Sequence, residues 1–206
     1  MSDLREIKGK DKSDVAVDLR ATEGGILLTS DIRQQWSAKG YGWSTMATSA
    51  VASLIVRPST LSIATFYNNT SKNFIIDRVF AHNLVSIANG QFGIWLCVHP
   101  VGAVAFDTPT NDITVRNNLN GNYTAGTEGL FDVGATVVDN GWFPYGESNY
   151  SITATVPGSL AQAFIEGRIV LPPTSGLSMS SVGQTAAVTV CMGLTYYAVP
   201  VAEYAL

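Results

Sequence analysis

The chain has 206 residues, 46% of them apolar, with a formal net charge of −4. A domain of that length can bury roughly 70% of the surface its unfolded form exposes, so it needs no disulfide or metal staple. No apolar run approaches the roughly 20 residues of a membrane span, and the charged start at residues 1–12 does not read as an export signal. These features predict a soluble protein made without Sec-type export, with no membrane partner.

Charge is sparse and unevenly placed. Charged residues are 14% of the chain, against roughly 25% in an average domain. Residues 1–39 hold seven basic and seven acidic side chains, half of all 28. The other 167 residues hold five basic (Arg57, Lys72, Arg78, Arg116, Arg168) and nine acidic, a balance of −4 that argues against a nucleic-acid footprint. In that stretch 43 residues are Ser, Thr or Asn. Either a neutral hydroxyl and amide surface replaces the missing charge, or partner subunits cover much of the surface, because interface cores are depleted of charge.

Residues 1–47 read as an irregular arm. Its first part alternates charges without apolar periodicity, which suits a disordered leader or a segment that laces neighbouring subunits. A short helix is expected near 31–39: Ser30 can cap it, Asp31 suits its positive end, and Gly40 suits the left-handed position that closes it. Ile32 and Trp36, four apart, share a face on which the helix can dock.

From residue 48 the pattern is strand and turn. Candidate strands fall at 51–56, 61–67, 73–87, 91–98, 102–106, 112–115, 130–138, 151–156, 163–171, 176–180 and 185–199. They are rich in Val, Ile, Thr, Phe and Tyr, and Gly, Pro, Asn and Ser clusters separate them. So many strands predict an all-β, antiparallel β-sandwich spanning 48–206. Only residues 159–166, SLAQAFIE, compete as a helix. In the last strand Val188, Val190, Met192, Leu194 and Tyr196 form the better core face. Val79, Ile94, Leu96, Phe164 and Ile169 are further core candidates.

Signals for chemistry are few. Cys97 and Cys191 lie in strand-like runs and read as buried, reduced hydrophobes, with a disulfide or metal as alternatives. His82 and His99 read as structural; Cys97 and His99 share a strand face, but no second cluster completes a zinc set. Asp107 and Asp112 bracket an oxygen-rich loop that lacks the EF-hand pattern. Neither a nucleophile-elbow nor a phosphate-loop motif is present. A cupin-like enzyme would need more metal ligands than two histidines supply. No cofactor and no catalytic residue is therefore expected. Sequons at Asn68, Asn69, Asn122 and Asn149 read as chance products of Asn-rich loops. Trp142, Phe143 and Tyr145 form an aromatic loop that, with Tyr123, is a candidate contact patch. Exposed, it would stack on sugars or face a subunit; buried, it would plug the sandwich.

Residues 167–181, GRIVLPPTSGLSMSS, followed by 182–201, VGQTAAVTVCMGLTYYAVPV, look like the closing strands of viral jelly rolls. The layout over residues 15–206 resembles virion accessory proteins of tailed bacteriophages, the cement or decoration proteins and head-fibre bases. The resemblance implies a jelly-roll body that forms a homotrimer on the outer capsid surface and binds the major capsid protein. It transfers no functional residue, because such proteins act through surfaces. The alternative from a different class is a carbohydrate- or receptor-binding β-sandwich.

Overall fold

The computed structural model describes residues 8–10, 16–18, 31–85, 90–101, 113–119, 125–134, 136–137, 141–151 and 160–204. The chain divides into two compact units, residues 1–35 and 36–206. In the first, β1 (Lys8–Lys10) and β2 (Ala16–Asp18) form an antiparallel pair.

One helix, α1 (Ile32–Ala38), straddles the division. Its cap is Asp31, whose Oδ1 accepts from the backbone N–H of Arg33 at 2.8 Å; Ser30, expected in that role, lies outside the described residues. The other end is a Schellman closure. Gly40, at φ +78°, donates to Ser37 O, and Tyr41 donates to Trp36 O across the last turn. Trp36 is buried among Ile75 and Val199, with Tyr41, Tyr197 and Tyr204 around it. Ile32 does not share that burial: it is 53% exposed. Tyr41, brought in by the closure, packs against that cluster.

The sandwich consists of β3 (Gly42–Met46), β4 (Val51–Ala52), β5 (Ala64–Tyr67), β6 (Lys72–Val85), β7 (Gly90–His99), β8 (Val115–Asn117), β9 (Ala125–Gly126), β10 (Leu130–Val133), β11 (Phe143–Ser151), β12 (Leu160–Leu171), β13 (Gly176–Gly183) and β14 (Thr189–Pro200). One sheet has the order β10-β5-β13-β7-β11. The other runs β12-β6-β14-β3-β8-β9, with β4 also paired to β14. All these strand pairs are antiparallel. Setting aside the short β4, β8, β9 and β10, eight strands remain, and they pair first with last: β3 with β14, β5 with β13, β6 with β12 and β7 with β11. The pairs β3–β14 and β6–β12 lie in the second sheet, β5–β13 and β7–β11 in the first.

β3 lies inside the stretch read as arm, yet it pairs with β14 from Gly42↔Tyr197 to Met46↔Gly193. Thr45 and Ala47 bury against the sheet even though the local sequence is polar. Residues 51–56 keep only the two-residue β4, and of the competing helix at 159–166, residues 160–166 lie in strand β12. The candidate strand at 102–106, and 152–156 of the one at 151–156, lie outside the described residues.

Both sheets turn alternate residues into one core. Phe66, Ile94, Leu96, Leu177 and Met179 come from the first sheet, and Phe74, Val79, Val190, Leu194 and Tyr196 from the second. Phe66 stacks on Phe74 at 5.5 Å and tilts against Tyr196 at 4.6 Å. Each such side chain contributes about 1.5–3 kcal/mol by leaving water. The Tyr196 hydroxyl donates to the Glu128 carbonyl, and the Glu128 carboxylate meets Lys72 at 2.6 Å. Phe164 is not in the core, being 58% exposed. Ala161, Ala163 and Ile165 point inward on β12, so period-2 alternation sends Phe164 out and Ile165 takes its place.

Candidate interaction surface

The outer face of the second sheet shows what the inner pattern leaves over. Residues opposite in parity to the core set align in cross-strand rows. Met46, Gly193, Phe80 and Gln162 form one row; Ser44, Thr195, Arg78 and Phe164 form the next; Cys191, His82 and Leu160 form a third. Gly193 makes room in the first row. A Cβ there would lie 2.5 Å from the Phe80 ring, so the ring lies down on the sheet only over glycine.

Phe164, Met46 and Leu160 are all exposed on this face. Arg78 stands among them, its guanidinium 5.8 Å from the Phe80 ring centroid and its Nη1 donating to Gln162 Oε1 at 3.0 Å. Its Nε is buried and has no hydrogen-bond partner. Past Phe164 the strand bulges, with left-handed Glu166 and Gly167, and Arg168 spans the bulge by donating to the carbonyls of Phe164 and Ile165. On neighbouring β11, Phe143 is 65% exposed. Among the described residues the patch is thus aromatic side chains, Met, Leu and Arg, with no lysine.

At the opposite side of the sheet β3 and β8 part company. They pair at Trp43↔Asn117 and Ser44↔Arg116 only, and beyond that fork lies a cleft of about 370 Å³. Met46, Phe80 and Ile113 supply apolar wall, Thr48 and Thr114 hydroxyls, and Arg116 a cation.

No protein-family model and no curated protein matches this chain. Its function is read from these surfaces.

The aromatic loop singled out in the sequence does not form one patch. Trp142 is buried with Cys97 and Val137, and its indole N–H donates to Ser59 O at 2.8 Å, so no ring face is open to a sugar. Tyr145 is half-buried against the main core, Phe143 alone of these points to solvent, and Tyr123 lies outside the described residues. His99 is buried, its Nε2 2.7 Å from Ser178 Oγ; His82 is half-buried on the outer face. Cys97 and Cys191 are buried and in no disulfide, and burial raises the Cys191 pKa. Among the described residues no three His, Cys, Asp or Glu gather to hold a metal; Asp107 and Asp112 lie outside them. Asn68 is a structural amide. Its Nδ2 donates to Lys72 O and Leu171 O, and its Oδ1 accepts from Thr70, which holds the turn between β5 and β6.

Sequence reasoning missed the Arg78–Phe80–Phe164 surface. The available signal was parity: once Ile165 and Val79 are assigned to the core, Phe164, Arg78 and Phe80 must face outward.

Proposed function

We propose that this chain is a structural subunit of a virus particle, a cement or decoration protein that forms homotrimers on the outer capsid surface and binds the major capsid protein. It acts by contact, not by catalysis. The observation that carries this reading is the exposed Phe164 and Leu160, with half-buried Arg78, on one sheet face, and exposed Phe143 on the adjoining strand. Aromatic residues, Met and Arg are what protein interfaces enrich, while Lys and Glu are depleted there. An isolated sandwich would instead guard such a face and its edges with charge. Strand pairing of first with last, second with seventh, third with sixth and fourth with fifth supports the jelly-roll form of the sandwich.

Light scattering of the full-length protein and co-sedimentation with capsids test the proposal. The expected results are a trimer that pellets with capsids, and loss of assembly or capsid binding in Phe164→Glu with the fold intact. A stable monomer that stays in the supernatant would overturn it.

A further inference from the structure

We infer that α1, strapped down by the C-terminal turn, is a lid on one end of the contact face, and that lifting it enlarges the surface offered to the capsid protein; this deepens the assembly reading and rests on it. On β14 the core set Val190, Met192, Leu194, Tyr196 and Ala198 leaves Gly193, Thr195, Tyr197 and Val199 on the outer face. The row Ser44, Thr195, Arg78 and Phe164 belongs to the open patch. The next row along the same face is Gly42, Tyr197, Ile75 and Val170. There the face is closed. Trp36 is buried with Ile75 and Val199, Val170 packs on that cluster, and the indole lies 5.5 Å from the Tyr197 ring. α1 therefore covers apolar surface that continues the patch.

Two features let the lid lift without unfolding the sandwich. Among the described residues its cluster is separate from the main core, and Trp36 is the one buried side chain of α1. Seven residues are also too few for a helix to persist without tertiary contacts. What holds it is the turn after β14. Glu203 and Tyr204 donate their N–H groups to Pro200 O at 2.9 and 3.2 Å, and Tyr204 meets Trp36 edge-on at 5.9 Å. Asn73 Nδ2 donates to Tyr204 O at 2.7 Å, which ties the turn to β6. Lys39 Nζ meets Glu203 Oε2 at 2.6 Å, and the Tyr41 hydroxyl donates to Glu203 Oε1 at 2.7 Å, so one carboxylate holds both sides of the Gly40 closure. β14 ends at Pro200, so the strap can be released with the sheet pairing intact. Small units with few buried contacts of their own are the ones that open locally. A cover of this kind suits a partner met after folding, the capsid protein, since copies of the chain are present from synthesis onward.

Amide hydrogen exchange reads the lid, and co-sedimentation with capsids reads its effect. In the full chain, Tyr204→Ala should speed exchange over residues 33–41 about 3- to 10-fold, the worth of one aromatic pair. A chain ending at Pro200 should show at least as much, while β7 and β13 keep their wild-type rates in both. Tyr204→Phe, which keeps the ring, should match wild type. Because the open form is the one that binds, both opened variants should also bind capsids tighter, by the factor that exchange shows. Unchanged exchange over 33–41, or equal acceleration in β7 and β13, would overturn the lid. Faster exchange there with capsid binding unchanged or weaker would overturn its role at the interface. If no form pellets with capsids, the assembly reading fails and the lid's contact role with it, while the exchange rates still decide whether the strap holds α1.

Discussion

A Cβ on residue 146 would lie 2.5 Å from the carbonyl oxygen of Gln162, so Gly146 lets β11 rest its backbone directly on β12. The contact joins an edge of one sheet to an edge of the other. It falls at the bulge between Tyr145 and Asn149, where Gly146 also holds φ +72°. Two costs therefore meet in Gly146→Ala: left-handed backbone and a clash with main chain that cannot move aside. We expect a loss of about 3 kcal/mol in urea unfolding. Gly134→Ala is the control. It shares the backbone conformation, at φ +74°, but has nothing within 4 Å, so it should lose only about 1 kcal/mol. Equal losses at the two sites would show that the sheets do not touch at Gly146.

Asn83 is wholly buried on β6, and neither its Nδ2 nor its Oδ1 has a hydrogen-bond partner. Desolvating such groups without compensation costs about 1–3 kcal/mol each. Asn83→Leu, close in size and shape, should therefore raise stability by about 1 kcal/mol or more in urea titration. A loss instead would place an internal water on that amide.

Stability should fall in alkali. Burial, with the Glu128 carboxylate adding to it, holds the Tyr196 hydroxyl well above its ordinary pKa of 10.0. Below that value both states keep the proton and the contribution is complete. Above it the unfolded chain ionises while the folded one does not, so stability drains as pH rises toward the folded pKa. Cys191, raised by burial from 9.0, acts with the same sign from a lower pH. Tyr196→Phe should lose about 1 kcal/mol near neutrality, with the hydrogen bond to Glu128 O, yet show a flatter decline above pH 10. Melting temperature against pH for the two proteins checks this; parallel curves would contradict it.

Cys97 and Cys191 are each 1% exposed, and neither is in a disulfide. Native protein should show almost no reaction with a thiol reagent, and two thiols should react per chain in denaturant. Fast labelling of the native state would mean that the Cys97–Trp142 cluster, or the row shared by Cys191 and His82, opens readily.

By itself the sequence determined that the body is built of strands and which face the last of them buries. Val188, Val190, Met192, Leu194 and Tyr196 show their parity because a two-residue period survives along any single strand. The closure of α1 at Gly40 was equally legible, since only local backbone chemistry is involved. Phe164 was misplaced because hydrophobicity says a side chain prefers to be buried, while parity with Ile165 decides whether it can be. Other features depend on partners distant in the chain. Ser178 and Ser180 alternate with Leu177 and Met179 as a solvent-facing set would, yet both are buried. Ser178 meets His99, and Ser180 meets the backbone of Leu61 and Ile63, over a hundred residues away. Trp142 disappears under Arg57 and Ser59 for the same reason. The cleft is more dependent still: β3 and β8 are about seventy residues apart, and only their divergence after Ser44↔Arg116 brings Met46, Phe80 and Arg116 around one space. Local periodicity is written into the chain, but which outer faces stay open is decided by where remote segments come to rest.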